Sequence, residues 1–134
     1  MIGVVIVSHG RLGEALVEAV EFILGQRLEK TKGVSVFIGQ EPDKLKQDLR
    51  QAVEEVESGQ GTIILVDMFG GSPSDMSLSF LKPGQVEVIT GVNLPMLLHI
   101  INARHKNPPL AALAKEAEKR AVDAIALAGK WLNP

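Results

Sequence analysis

IGVVIVSHG, residues 2–10, is an apolar and largely β-branched stretch that stops at a histidine and a glycine. A second stretch of the same kind, TIILVD at residues 62–67, stops at Asp67 and is followed by the turn GGSP at residues 70–73. Continuous apolar runs of this length are typical of strands buried on both faces of a parallel sheet. His9 and Asp67 are therefore predicted at the carboxyl ends of two strands, the edge of an open α/β sheet where ligands gather.

Strand-like runs alternate with amphipathic segments along the rest of the chain. Two further strands are predicted at residues 34–38 and 86–90. The first helix is expected to bury a face made of Leu12, Ala15, Leu16, Ala19 and Ile23 and to stop at Gly25. The other helices are predicted from Pro42 to about Val56, from about Pro73 to Leu81, from Leu94 to Ala103 and from Leu110 to Trp131.

This alternation predicts an α/β fold with a doubly wound, mostly parallel sheet and helices on both faces. Right-handed crossovers leave few topologies, and the flavodoxin-like strand order 2-1-3-4 places the first and third strands side by side. In that order His9 and Asp67 would lie close together although 57 residues separate them in the chain.

Composition restricts the possible functions. The 134 residues are 46% hydrophobic with a net charge of -2, which fits a single domain over residues 1–134 and gives no basic field for nucleic acid. The absence of cysteine excludes thiol catalysis and disulfides. Apolar runs are too short to span a membrane and the start does not resemble a signal peptide, so we expect a cytoplasmic protein. No histidines and carboxylates have metal-ligand spacing, and we expect neither a metal nor a cofactor.

The pair of His9 and Asp67 suits a histidine that carries a phosphoryl group. An imidazole attacks phosphorus through one ring nitrogen if the other nitrogen holds the proton, and a carboxylate that accepts this N–H fixes the tautomer. Gly70 and Gly71 would let backbone amides approach the phosphoryl oxygens, and Ser72 would add a hydroxyl at the start of a helix.

Structural interpretations of the same residues stay open at this point. A histidine at a strand end is more often structural than catalytic, and an aspartate there is often a turn residue. Ser72 could simply cap the following helix. His99 is interpreted as a residue of a helix surface or core, and His105 as part of a solvated helix end.

Three motifs together resemble the IIA domain of the mannose family of the bacterial phosphoenolpyruvate-dependent sugar phosphotransferase system. They are VSHG at residues 7–10, VDMFGGSP at residues 66–73 and TGVNLPML at residues 90–97. The resemblance covers essentially the whole chain. It implies a homodimer in which His9 is phosphorylated by the phosphocarrier protein HPr, Asp67 orients the imidazole, and Ser72 lies in the phosphate-binding turn.

The same resemblance implies further partners. His9 would pass its phosphoryl group to a IIB component, here on a separate chain or removed from this one, and indirectly to the membrane components IIC and IID. The resemblance also implies an antiparallel strand near the C-terminus that is exchanged between subunits, whereas residues 110–131 are predicted to be helical. Both carriers are expected to dock on a modest apolar ring around His9 that includes Met68, Phe69 and the turn formed by Asn93, Leu94, Pro95 and Met96.

Other functions compete with this one. The phosphotransfer subunit of a dihydroxyacetone kinase resembles the chain in fold and histidine position, although the GGSP turn favours the mannose type. A metal chelatase of tetrapyrrole biosynthesis is an alternative of a different class, since some begin with strand, His and Gly followed by Arg, as in His9-Gly10-Arg11. A purely regulatory domain is the third alternative. The sugar stays open among mannose, other hexoses, sorbose, fructose and amino sugars.

Overall fold

The computed structural model describes residues 1–132 and has the predicted α/β architecture. Its four strands are β1 (Gly3–His9), β2 (Thr31–Val36), β3 (Thr62–Val66) and β4 (Val86–Thr90). Its helices are α1 (Leu12–Leu24), α2 (Pro42–Val56), α3 (Ser72–Leu78), α4 (Leu94–Ala103), α5 (Leu110–Asp123) and α6 (Gly129–Leu132), with a 3₁₀ turn over Arg104–Lys106. Within this described part, no helix is long and apolar enough to cross a membrane.

The sheet has the strand order β2-β1-β3-β4, and every neighbouring pair is parallel. The flavodoxin-like order predicted from the sequence is therefore confirmed. Val7 of β1 pairs with Val66 of β3, so both chains leave the sheet at the same edge. This register brings His9 and Asp67 to adjacent positions at the carboxyl edge.

Helices cover both faces of the sheet, as predicted. One core packs α1, α4 and α5 against one face of the strands, and the other core packs α2 and α3 against the opposite face. The helix after His9 lies very close to β1, because a Cβ atom on Gly13 would be only 2.9 Å from the Ile6 carbonyl oxygen. A glycine at this position therefore lets α1 start directly behind the histidine.

The second strand was predicted at residues 34–38, but β2 spans Thr31–Val36. It is an edge strand with half-buried residues, so its polar start pairs with β1 without forming an apolar run. Phe37 and Ile38, expected inside the strand, lie in the loop after it and are exposed.

The face that α1 buries also differs from the prediction. Leu12 is 48% exposed and Ile23 is 50% exposed, and Ala15 is exposed as well. The buried residues of α1 are Gly13 and Val20, while Leu16 of the predicted face is partly buried and packs against the core. The close approach at Gly13 determines which face of α1 is turned to the sheet, and an apolar pattern cannot reveal it because glycine has no side chain.

Two helices end earlier than predicted. Helix α3 ends at Leu78 instead of Leu81, and α5 ends at Asp123 instead of Trp131. After Ala121, which is 4% exposed, every described residue to Leu132 is exposed. Most of a helix's stability in a protein comes from packing one face, so a segment without such packing does not extend α5.

Candidate functional site

The predicted contact between His9 and Asp67 is present at the carboxyl edge of the sheet. Asp67 Oδ2 accepts a hydrogen bond from the His9 main-chain N–H at 2.8 Å and also lies 2.8 Å from His9 Nδ1. The other oxygen, Oδ1, accepts from the Met68 main-chain N–H at 2.9 Å. The carboxylate is thus held by the backbone and faces the ring, while the His9 side chain is 54% exposed.

This geometry assigns the tautomer of the imidazole. An ionised carboxylate can only accept hydrogen bonds, so the proton between the two groups belongs to Nδ1. The lone pair of the neutral ring is then on Nε2. A Cβ atom on Gly71 would be 3.5 Å from Nε2, so the free nitrogen lies beside the backbone of the glycine turn.

The pKa of Asp67 is shifted below its ordinary value. Burial raises this pKa, but hydrogen bonds from the His9 backbone and ring and from the Met68 backbone outweigh burial and lower it. The carboxylate therefore contributes stability above its unfolded-state pKa, and this contribution is lost as the pH falls through the folded-state pKa. At neutral pH the group is ionised and available to the ring.

The turn after Asp67 borders the same histidine. Gly70 and Gly71 have φ angles of 93° and 90°, a conformation that favours glycine. Ser72 is the first residue of α3 and is exposed. It does not cap the helix, because Gly71 occupies the N-cap position. The structure thus places Gly71 and Ser72 beside His9, with Gly70 directly before them in the turn.

A groove of about 1080 Å³ opens beside His9 on the side of β2 and α2. Its walls are mainly apolar and are formed by the strand-to-helix loop and the start of α3, including Val36, Phe37, Ile38, Pro42, Pro73 and Met76. The sequence interpretation missed this groove because it placed Phe37 and Ile38 in a strand. Their position just before Gly39, at the edge that carries His9, is the signal that could have revealed them.

The six predicted docking residues fall into two groups. Met68 and Phe69 are 55% and 74% exposed, Pro95 is exposed, and Leu94 is half-buried. Met96 is only 2% exposed and belongs to the core beneath α4, so its docking role is wrong. Asn93 is also unsuited to docking, because its Oδ1 caps α4 at the Met96 N–H and its Nδ2 donates to the Ala121 carbonyl.

The other two histidines lie outside this site. His99, on α4, is half-buried with Nε2 3.4 Å from Glu116 Oε1 on α5. His105 is exposed in the 3₁₀ turn after α4, in agreement with its interpretation as a helix end. Among residues 1–132, no group of three or more His, Asp or Glu side chains could hold a metal ion.

Fold and site together define a class of protein: a flavodoxin-like α/β protein with an exposed imidazole bonded to a carboxylate at the carboxyl edge of its sheet. The model of one family, described as the PTS system fructose IIA component, matches residues 3–118. The chain belongs to this family of IIA components of the sugar phosphotransferase system.

Two characterised relatives agree with this family. The chain is 33% identical over 105 residues to the fructose-specific EIIA component of Bacillus subtilis, covering 78% of this chain and 71% of the relative. It is 31% identical over 128 residues to the mannose-specific EIIAB component of Escherichia coli K12, covering 92% of this chain. The match spans only 39% of that longer relative.

Solved structures show the same fold. The EIIA component from Streptococcus agalactiae superposes with a TM-score of 0.86 at 22% identity, covering 97% of this chain and 99% of that one. A IIA protein associated with the fucose utilization operon of Streptococcus pneumoniae gives a TM-score of 0.82 at 25% identity, with coverage of 98% and 96%.

Proposed function

We propose that this chain is a phosphoryl carrier that accepts a phosphoryl group from phospho-HPr on His9 and donates it to a IIB component. The observation that carries this proposal is the bond between Asp67 and Nδ1 of His9, because it leaves Nε2 as the exposed nucleophile. Family membership favours this role over a dihydroxyacetone kinase subunit or a tetrapyrrole chelatase. The domain over residues 1–134 is the unit of this function.

The proposed step moves the phosphoryl group from one imidazole to another. The Nε2 lone pair forms a bond to the phosphorus of phospho-HPr, and the breaking N–P bond returns its electron pair to the HPr imidazole. The Nδ1 proton stays on His9, where Asp67 offsets the positive charge of the ring. The reverse sequence, with a nucleophile of IIB as the acceptor, delivers the group onward.

The glycine turn supports the transferred group. Phosphoryl transfer depends on positioning and on stabilising charge at the equatorial oxygens. We assign this role to the backbone of Gly70 and Gly71 and to the hydroxyl of Ser72, since Gly71 lies beside Nε2 and Ser72 lines the same groove as His9. A larger residue at Gly71 would place its Cβ in the space that the phosphoryl group must enter.

The test is transfer of ³²P from labelled phosphoenolpyruvate through enzyme I and HPr to the purified chain. We expect labelling that requires HPr, and loss of the label when a IIB protein is added. Chain that stays unlabelled, or label that IIB cannot remove, would contradict the proposal.

Asp67→Asn is expected to slow phosphoryl transfer from HPr by about 100-fold or more while the chain stays folded. The amide keeps the shape of the carboxylate but lacks its charge, and its NH₂ group can favour the wrong tautomer of His9. Single-turnover quench experiments measure the rate. The matched control is Asp48→Asn on α2, which is partly exposed, lies outside the groove beside His9 and pairs with Lys44. A rate within threefold of wild type for Asp67→Asn would contradict its role in orienting His9 and leave Asp67 with a structural role in the turn.

We propose that HPr and IIB dock on one surface around His9, made of Met68 and Phe69 on one side and the groove behind Ile38 on the other. Each partner must reach the same imidazole, and transient contacts of this kind are small. We include Leu94 and Pro95 in this surface because they start α4 directly after β4, the strand next to β3. Chemical-shift mapping with either partner should therefore perturb the carboxyl edge and leave the amino edge unchanged.

Ile38→Asp should raise the KM for phospho-HPr by about tenfold and leave kcat nearly unchanged, because a charge replaces a fully exposed apolar contact away from the reacting atoms. Phe22→Asp is the matched control, since Phe22 is 89% exposed near the opposite end of α1. Steady-state transfer at varied HPr concentrations gives both constants. Equal KM values for the two variants would exclude the groove from docking.

We further propose that the chain forms a homodimer through the end of α5 and the segment that follows it. Its apolar side chains are strongly exposed, at 63% for Val122, 75% for Ile125 and 72% for Leu127, which is typical of an interaction site. Ile125→Asp should shift the dimer to monomer in sedimentation equilibrium. Asn102→Asp, at an exposed polar position on α4, should not. A monomeric wild-type chain at micromolar concentration would contradict the proposal.

A further inference from the structure

Ser8, the residue before His9, has a buried hydroxyl with two backbone partners. Ser8 is fully buried, with an exposed fraction of 0%. Oγ donates a hydrogen bond to the Gly10 carbonyl oxygen at 3.1 Å and accepts one from the Gly13 N–H at 2.8 Å. The hydroxyl therefore connects the end of β1 to the first turn of α1, across the backbone of His9.

The hydrogen bond from the Gly13 N–H to the Ser8 hydroxyl takes the place of the side-chain cap that α1 lacks. Arg11 occupies the N-cap position and its side chain makes no capping bond. The Ser8 hydroxyl, from the preceding strand, satisfies one of the free N–H groups at the start of the helix. Gly10, with φ of 58°, is also held through its N–H, which donates to the Val36 carbonyl at 2.8 Å. The chain is thus fixed on both sides of His9.

The direction of the His9 side chain depends on this fixed backbone. Asp67 Oδ2 is bonded both to the His9 main-chain N–H and to its Nδ1. Both contacts at 2.8 Å are possible only within a narrow range of backbone rotation, because one oxygen must serve two atoms of the same residue. The Ser8 hydroxyl acts on the main chain that carries this ring, because it holds the Gly10 carbonyl directly after His9 and the Gly13 N–H at the start of α1.

We infer that Ser8 is a positioning residue for phosphoryl transfer, acting through the backbone of His9 on the ring's bond to Asp67. The inference rests on the proposed carrier function. Ser8 does not touch the reacting atoms, and its contribution is the orientation of Nε2. Small misplacements of a reacting group reduce rates strongly, by about 100-fold for 1 Å.

Ser8→Ala is expected to lower kcat for transfer from phospho-HPr by about 10- to 100-fold with an unchanged KM. The docking surface is intact in this variant, so the loss falls on the chemical step. Ser8→Thr retains the hydroxyl and should recover most of the rate. A loss expressed in KM, or a threonine variant that folds as well as wild type but transfers as slowly as the alanine variant, would overturn the inference.

A second readout is independent of HPr. In wild type, ¹⁵N shifts of the His9 ring should report the tautomer with the proton on Nδ1, and in Ser8→Ala they should report a mixture. Ser35→Ala is the matched control, because Ser35 pairs with Ser8 in the neighbouring strand and its buried Oγ has no hydrogen-bond partner among the described residues. In Ser35→Ala, the tautomer of His9 and the rate of phosphoryl transfer should equal those of wild type.

These outcomes separate the two proposals. If wild type is not labelled, the carrier function fails, while the tautomer measurement still tests Ser8. If wild type is labelled but Ser8→Ala matches Ser35→Ala in rate and in tautomer, the carrier function stands and the positioning role of Ser8 is wrong.

Discussion

His9→Ala is expected to abolish phosphoryl labelling, with a loss of at least about 1000-fold, and to leave the chain folded. The substitution removes the nucleophile, and removal of a nucleophile eliminates the pathway instead of slowing it. The side chain is 54% exposed and its bond is to Asp67, which keeps its contacts to the backbone N–H groups of residues 9 and 68. Labelling with ³²P and circular dichroism on the same sample measure both effects.

The other two histidines supply the controls for this experiment. His105→Ala changes an exposed histidine outside the site and should be labelled like wild type. His99→Ala removes a half-buried ring between α4 and α5 and should also keep full labelling. If the label persists in His9→Ala and disappears in one of the controls, the phosphorylated residue is the histidine replaced in that control.

Arg104→Ala should lower the free energy of unfolding by about 3 kcal/mol, the largest stability effect that we expect from one side chain. Arg104 is only 2% exposed. It donates to the carbonyls of Ile2 at 3.1 Å, Lys30 at 3.3 Å and Glu29 at 2.5 Å. Burial lowers its pKa to about 10, although the nearby Glu29 raises it, so the group is still charged at neutral pH.

Two further variants separate charge from packing at this position. Arg104→Lys retains a cation but has fewer donors in a different geometry, so it should lose about half as much stability. Arg120→Ala removes an exposed arginine that pairs with Glu116 at 3.8 Å, and it should change stability by less than about 0.5 kcal/mol. Urea unfolding measures all three. A loss below about 1 kcal/mol for Arg104→Ala would mean that water replaces the guanidinium at these carbonyls.

The parts of the fold that were predictable from the sequence are those in which burial dominates. Strands β1 and β3 lie inside the sheet and are covered on both faces, so the sequence of each is a nearly continuous apolar run. Their positions also determine the site, because parallel neighbours end at the same edge. His9 and Asp67 could therefore be paired from the pattern alone.

Other features depend on contacts that leave no periodic pattern. Arg104 lies in the polar segment Arg-His-Lys and looks solvated, yet it reaches backbone carbonyls of residues about 75 and 102 positions away. Helix α4 starts at Leu94 as predicted, but Met96, which was expected to be available for docking, lies on the face of this helix that is turned into the core. Ile38 continues an apolar run, although the edge strand has already ended. The long-range bonds of Arg104, the burial of Met96 and the exposure of Ile38 do not follow from the local apolar pattern.

Arg104 and Asp67 lie at opposite edges of the sheet, and this separation determines which substitutions affect stability and which affect the site. Arg104 binds carbonyls where β1 and β2 begin, whereas Asp67 follows the end of β3. A five-residue strand spans about 17 Å, beyond the range in which substitutions usually couple energetically. Residues around His9 can therefore be substituted to fit different partners without a change in the stability that Arg104 contributes at the opposite edge.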